Sequence, residues 1–179
     1  MKITKFLGAA IFMLSAASSF GEMIQGDGYS YFLSAPVGWV LDKSLAAEAE
    51  SDVVLYPQGT TYQNAGSIIT VNVVFKGDGY KDLQDLIQKD EADGRQQNPH
   101  FKVQRGPSLT GRFQKNLPLY IYSGLKDGGW EAAAYLEEKD RVLIFVLSSS
   151  SGPILHEDLP ALQETAASYE TLGDGRTLE

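Results

Sequence analysis

No cysteine occurs at any of the 179 positions. Disulfides, thiolate nucleophiles, thiolate metal sites and lipid attachment at a processed cysteine are all excluded by that one absence. Histidine is nearly as scarce, with only His100 and His156. Two isolated imidazoles and no thiol give no zinc-ligand spacing. Positive charge is also short: 15 Lys and Arg stand against 23 Asp and Glu, for a net charge of −8. A negative field repels phosphate backbones and anionic lipid, so nucleic acid and membrane surfaces are not expected partners. Nor is there an apolar run long enough to span a bilayer, and no stable membrane anchor is expected.

What the chain does have begins at its amino terminus. Lys2 and Lys5 precede an apolar segment, residues 6–17, interrupted only by Gly8 and Ser15. Small residues follow at Ala16, Ala17, Ser18, Ser19 and Gly21. This tripartite pattern is that of a secretory signal peptide, 1–21, with cleavage expected after Gly21 and Ser19 as the alternative. No Arg-Arg pair precedes the apolar segment, which points to the general secretory route. The expected product is periplasmic or secreted. The signal carries two lysines and no acid, so its removal takes the net charge from −8 to −10. Residues 22–172 are then expected to form one α+β domain, monomeric, with 173–179 as a flexible tail. A domain of that length buries roughly 70% of its unfolded surface and needs no covalent staple.

Periodicity divides the domain into strands and two helices. Residues 29–34 read as a first strand, broken by Ala35-Pro36-Val37-Gly38-Trp39, because proline donates no ladder bond and glycine permits a turn. A short helical turn is expected at 45–49 and a second strand at Val53-Val54-Leu55-Tyr56. Residues 67–75 alternate cleanly, with Ile69, Val71, Val73 and Phe75 on one face. Asp82 caps a helix whose stripe is Leu83, Leu86 and Ile87; the stripe fades after Asp90, and the helix ends by Asn98, before Pro99. Short strands at 101–104 and 109–114 lead into a meander over 119–123, 130–137 and 142–147. The last of these is apolar on both faces, which makes it the central strand. A closing helix is expected over 157–172, with Asp158 as N-cap, Pro160 in the first turn, and Leu155, Leu159, Leu162, Ala166, Tyr169 and Leu172 on one face. Strands grouped with hairpin turns predict an antiparallel sheet covered by helices, an α/β/α sandwich.

Each chemical motif has a plainer structural explanation. Gly77-Asp78-Gly79-Tyr80-Lys81-Asp82 sits where a dinucleotide fingerprint would sit, but Asp82 replaces its third glycine and a turn plus cap accounts for the residues. The serines at 148–151 before Gly152 lack the leading glycine of a nucleophile elbow. Neither histidine is placed by sequence to serve a serine. The acidic sets Glu48, Glu50, Asp52 and Asp78, Asp82, Asp85 do not match a calcium loop. No catalytic residue, cofactor site or metal ligand is assigned, and no enzyme is expected. Tyr120 and Tyr122 share a strand face opposite Leu119 and Ile121, and this pair is the candidate partner-binding surface.

The order of these segments resembles the PsbP-like superfamily, which includes exported bacterial proteins of the DcrB type and a nuclear Ran-binding protein. The residues that carry the likeness are Phe32-x-x-Ala35-Pro36-x-Gly38-Trp39, Val53-Val54-Leu55-Tyr56, and the strand 68–74 followed by Leu83 in a helix. To these are added Tyr135 and Arg141-Val142-Leu143 in a hairpin leading to Leu159-Pro160-Ala161-Leu162 and Ser168-Tyr169. The resemblance implies an antiparallel sheet sandwiched between helices, and proteins that dock to larger assemblies rather than catalyse. No docking motif of the photosynthetic members is matched, and the missing cysteine departs from lipid-anchored relatives. The expected function is a non-catalytic exported binding module with a protein partner. The alternative is a small-ligand binder or hydrolase using a cleft beside the tyrosine-rich strand.

Overall fold

A computed structural model describes residues 21–125 and 128–171. Apart from Gly21, the expected signal peptide lies outside the described residues, as do Leu172 and the expected tail. Among the described residues, no helix is long and apolar enough to cross a membrane.

The strand with two apolar faces organises everything else. It is β11, Arg141–Ser149. On one side it pairs with β5, Ser67–Phe75, and on the other with β10, Trp130–Glu137, both antiparallel. Outward from β5 lie β4, Val53–Pro57, and β3, Trp39–Asp42. Outward from β10 lie β9, Leu119–Ser123, and β6, Lys102–Arg105. The seven-stranded order is β3-β4-β5-β11-β10-β9-β6, antiparallel throughout, with β11 in the middle as its composition predicts.

The two faces are closed unequally. One carries Ile69, Val71, Leu143, Phe145 and Leu147 beneath α2, Gly152–Ser168. A second sheet, β1-β2-β12, helps to cover that face; its strands are Glu22–Gly26, Tyr29–Leu33 and Glu170–Thr171. Leu155, Leu162 and Ala166 of α2 are buried there, and Tyr169 packs its ring against Phe145 and Tyr31 at 6.3 and 5.5 Å. The opposite face carries Val142, Ile144 and Val146 of β11 beneath α1, Leu83–Gln97, which buries only Leu86 and Ile87. β7, Leu109–Thr110, and β8, Asn116–Leu117, form a small ladder flanking a 3-10 turn at Arg112–Gln114.

Local chemistry explains the boundaries. Asp82 accepts from the Asp85 amide at 2.9 Å and caps α1 as expected. Gly38, at φ +80°, turns the chain so that the Trp39 amide reaches the Pro36 carbonyl at 3.0 Å. Several expectations are corrected. α2 starts at Gly152, ahead of the expected residue 157, because Pro153 fits its first turn and the Leu155 amide already bonds the Ser151 carbonyl at 3.0 Å. Asp158 therefore lies inside the helix, where its carboxylate accepts from the Ser67 hydroxyl and ties α2 to β5. Pro160, placed in the first turn by sequence, also lies in the helix body, on its exposed side. There water can satisfy the carbonyl that loses its partner. The helix ends at Ser168 rather than 172 because Glu170 and Thr171 pair with Phe32 and Tyr31. Residues 45–49 make the expected single turn, with the Ala49 amide on the Leu45 carbonyl at 2.9 Å, whereas only 109–110 of the expected strand 109–114 pairs in a ladder and 112–114 coil into the 3-10 turn.

The fully buried Leu162 anchors α2 to the sheet. Leu162→Ala should lower stability by about 2–5 kcal/mol, read as a lower urea midpoint at unchanged slope. An unchanged midpoint would show that α2 does not carry this packing.

Candidate functional site

The helix α1 is anchored by only half of its length. Leu83, Leu86 and Ile87 pack near its start, against a cluster that includes Tyr80, Val74 and Val142. Continuing the same stripe at spacings of three and four brings Asp90, Asp93, Gly94 and Gln97 over the sheet. These four residues form the helix wall of a cleft of about 320 Å³. Its floor comes from Ala133, Ile144 and Val146, with Asn72, Tyr122, Glu131 and Tyr135 around them. Phe101 closes one end. Its ring stacks on Tyr122 at 5.7 Å, and a Cβ added at Gly94 would lie 2.4 Å from it, so glycine is what lets the helix pass there.

The register sets the polar groups against one another. Glu131 on β10 stands opposite Tyr122 on β9 and opposite Ser148 on β11. The Ser148 hydroxyl donates to Glu131 at 3.2 Å. The Tyr122 and Tyr135 oxygens lie 2.9 Å apart, and Tyr135 donates to Asp90 at 3.3 Å. With the Tyr135 proton committed to Asp90, Tyr122 is the donor between the two phenols. Burial, with the Asp93 and Glu131 carboxylates beside it, pushes Asp90 up to about 6, against the Tyr135 bond that favours its anion. Burial likewise raises Glu131, opposed by the Ser148 bond. Both tyrosines are also raised, burial first and neighbouring negative charge next for Tyr122, burial and the facing phenol for Tyr135. All four groups are thus held in a medium that disfavours added negative charge.

The two tyrosines singled out by sequence do share this face, yet they line different clefts. Tyr122 is only 5% exposed and belongs to the cleft just described. Tyr120 is half-buried, with its ring edge-on to Tyr135 at 6.0 Å. It lines a second cleft, of about 430 Å³, on the other flank of α1 with Leu83, Ile87, Arg105, Pro118 and Glu137. His100 and His156 are exposed and line neither cleft. Gly77 to Tyr80 form a turn, with the Gly77 amide on the Tyr80 carbonyl at 2.8 Å. Asp52 accepts from Tyr29 at 2.5 Å and Tyr31 at 3.2 Å. Among the described residues, no group of three or more histidines and carboxylates is arranged to hold a metal ion.

A larger cleft of about 710 Å³ opens between the β1–β2 hairpin and the β10–β11 turn. Its charges are of both signs, and three of them are spent on one another: Arg141 lies 3.0 Å from Asp140 and 3.7 Å from Glu138. Volume alone does not make a site, and the smaller cleft under α1 has the convergent chemistry. Asp90 and Glu131 were not singled out by sequence. The signal was present: acids continue the apolar stripe of α1, and Glu131 interrupts the core alternation of β10.

No family model matches the chain, and no curated protein is similar to it in sequence. The solution structure of cyanobacterial PsbP (CyanoP) from Synechocystis sp. PCC 6803 is similar to it at 15% identity, covering 88% of this chain and 95% of that chain, with a TM-score of 0.49.

An aspartate whose pKa rises on folding, here from 3.8 to about 6, binds its proton more tightly in the folded state. Folded stability therefore increases as pH falls from about 6 to about 4, and a penalty is present at neutral pH. Asp90→Asn should consequently raise stability at pH 7.5 by about 1 kcal/mol, a figure reduced for the group's partial access to solvent. The gain should vanish near pH 4. Urea unfolding at both pH values checks this, and a variant less stable at pH 7.5 would contradict the account.

Proposed function

We propose that the protein acts, after export, as a non-catalytic binding module that docks to another protein through the α1 face of its large sheet. The observation that carries this reading is the pair of open clefts flanking α1, each walled by one tyrosine of β9. Tyrosine offers large contact area with little rotamer entropy to lose, and Tyr120 retains exposed ring surface beside the edge strand β6. The net charge of −10 expected after signal removal favours a partner with a basic surface, steered by the long-range field. The described lining of both clefts includes no serine, threonine or histidine, which supports binding over hydrolysis by a hydroxyl nucleophile and a histidine base. A second reading, binding of a small ligand, is favoured by the convergence of Asp90, Glu131, Tyr122 and Tyr135 on one cleft.

Capture of partners from envelope extract, followed by affinity measurement with the purified partner, tests the docking reading. Tyr120→Ala should weaken binding by about tenfold, the scale of an interface aromatic that matters, and association should slow as salt rises. Turnover in an esterase, peptidase or glycosidase screen that disappears in Asp90→Asn would replace this reading with a catalytic one.

A further inference from the structure

An amphipathic helix that served only to cover a sheet would carry apolar side chains along its whole buried stripe. In α1 the stripe turns acidic halfway, and the turned half roofs a cleft rather than filling it. We propose that this cleft is a binding site for an organic cation, an ammonium or guanidinium group carried on a short apolar stem. The charges select the sign. Asp90, Asp93 and Glu131 line the cleft, and none of its described lining residues is Lys, Arg or His. Asp90 spends one oxygen on Tyr135 and Glu131 one on Ser148, which leaves the second oxygen of each for a donor. An anion would be repelled, and a neutral ligand would leave both half-buried carboxylates without compensation.

The walls select the shape. Phe101 and Tyr122 present stacked rings, the surface a cation prefers beside a carboxylate. Ile144 and Val146 supply an apolar floor for a stem. A volume of about 320 Å³ lies at the small end of ligand sites and suits one side chain or a small amine. The Tyr122–Tyr135–Asp90 hydroxyl relay fixes the carboxylate in place before the ligand arrives. A bound cation favours the anionic forms of Asp90 and Glu131, with Asp93, Tyr122 and Tyr135 the other titratable groups lining the cleft. Binding therefore releases protons and tightens as pH rises through about 6. The proposal rests on the docking reading only for the source of the cation, a basic side chain of the partner; a free amine would carry the same chemistry.

The test is titration of the isotope-labelled protein with n-butylguanidinium, against neutral n-butylurea of the same shape, followed by amide NMR. Saturable shifts confined to the neighbourhood of Asp90, Gly94, Phe101 and Glu131 are expected, with affinity at least tenfold above that for the urea. Asp90→Asn and Glu131→Gln should each weaken it about tenfold, and lowering the pH from 7.5 to 5 should weaken it for the wild type. Equal binding of the urea, shifts scattered over the surface, or unchanged affinity in both variants would overturn the proposal. A capped Ala-Arg-Ala peptide that binds as well as the free cation assigns the source to a partner's side chain; its exclusion while the free cation binds assigns it to a small molecule. The probe needs no partner, so its failure leaves docking through Tyr120 standing, and failed docking leaves the probe result standing.

Discussion

The structure depends on one strand that is apolar on both sides. Leu143, Phe145 and Leu147 of β11 face α2, while Val142, Ile144 and Val146 face α1. Such a strand is stable only in the middle of a sheet with both faces covered, so two layers must be recruited. β5 and β10 pair with nearly its whole length and repeat its division, sending Ile69, Val71, Ala132 and Ala134 one way and Val74, Ala133 and Tyr135 the other. The fold is therefore two cores sharing a wall one strand thick.

Those cores are built to different standards. On the α2 face, helix, second sheet and aromatic contacts through Tyr169 bury the centre of β11, and the cleft of about 710 Å³ on that side opens beside the β10–β11 turn. On the α1 face, three apolar side chains near the helix start do the holding, and Asp90, Asp93, Gly94 and Gln97 occupy the rest of the stripe. Burial raises Asp90 and Glu131, so ionised carboxyl groups there weaken the folded state at neutral pH. Perturbed groups of this kind in a cleft are where binding or chemistry is concentrated, and retained instability is the usual companion of such a site. Unequal closure thus distinguishes the two faces of one sheet: α2 and the second sheet bury the centre of β11, while α1 leaves Asp90 and Glu131 lining a cleft over Ile144 and Val146.

Much of this was legible in the residues. The alternation over 67–75 matches β5 end to end, Asp82 caps α1, and the doubly apolar run places β11 at the centre. What escaped was structure made by tertiary partners. β12 is two residues long and extended only because β2 offers it a ladder. β1 has a weak alternation, Met23 exposed and Ile24 buried, and owes its form to the hairpin with β2. α2 opens at Gly152-Pro153, ahead of the expected 157, and Asp158, expected as its cap, is bound by Ser67. At the site, sequence placed Tyr120 and Tyr122 on one face but not in separate clefts, because only the path of α1 between them decides that.

The unequal closure of the two faces is the claim on which the rest turns, and native-state hydrogen exchange measured against low denaturant tests it directly. Local opening requires few buried contacts, so the amides of α1 should exchange at a free energy well below that of global unfolding. Those of β5, β11 and α2 should exchange only with the whole fold. Protection of α1 equal to that of β11 would contradict the account, since the α1 face would then be as firmly closed as the other.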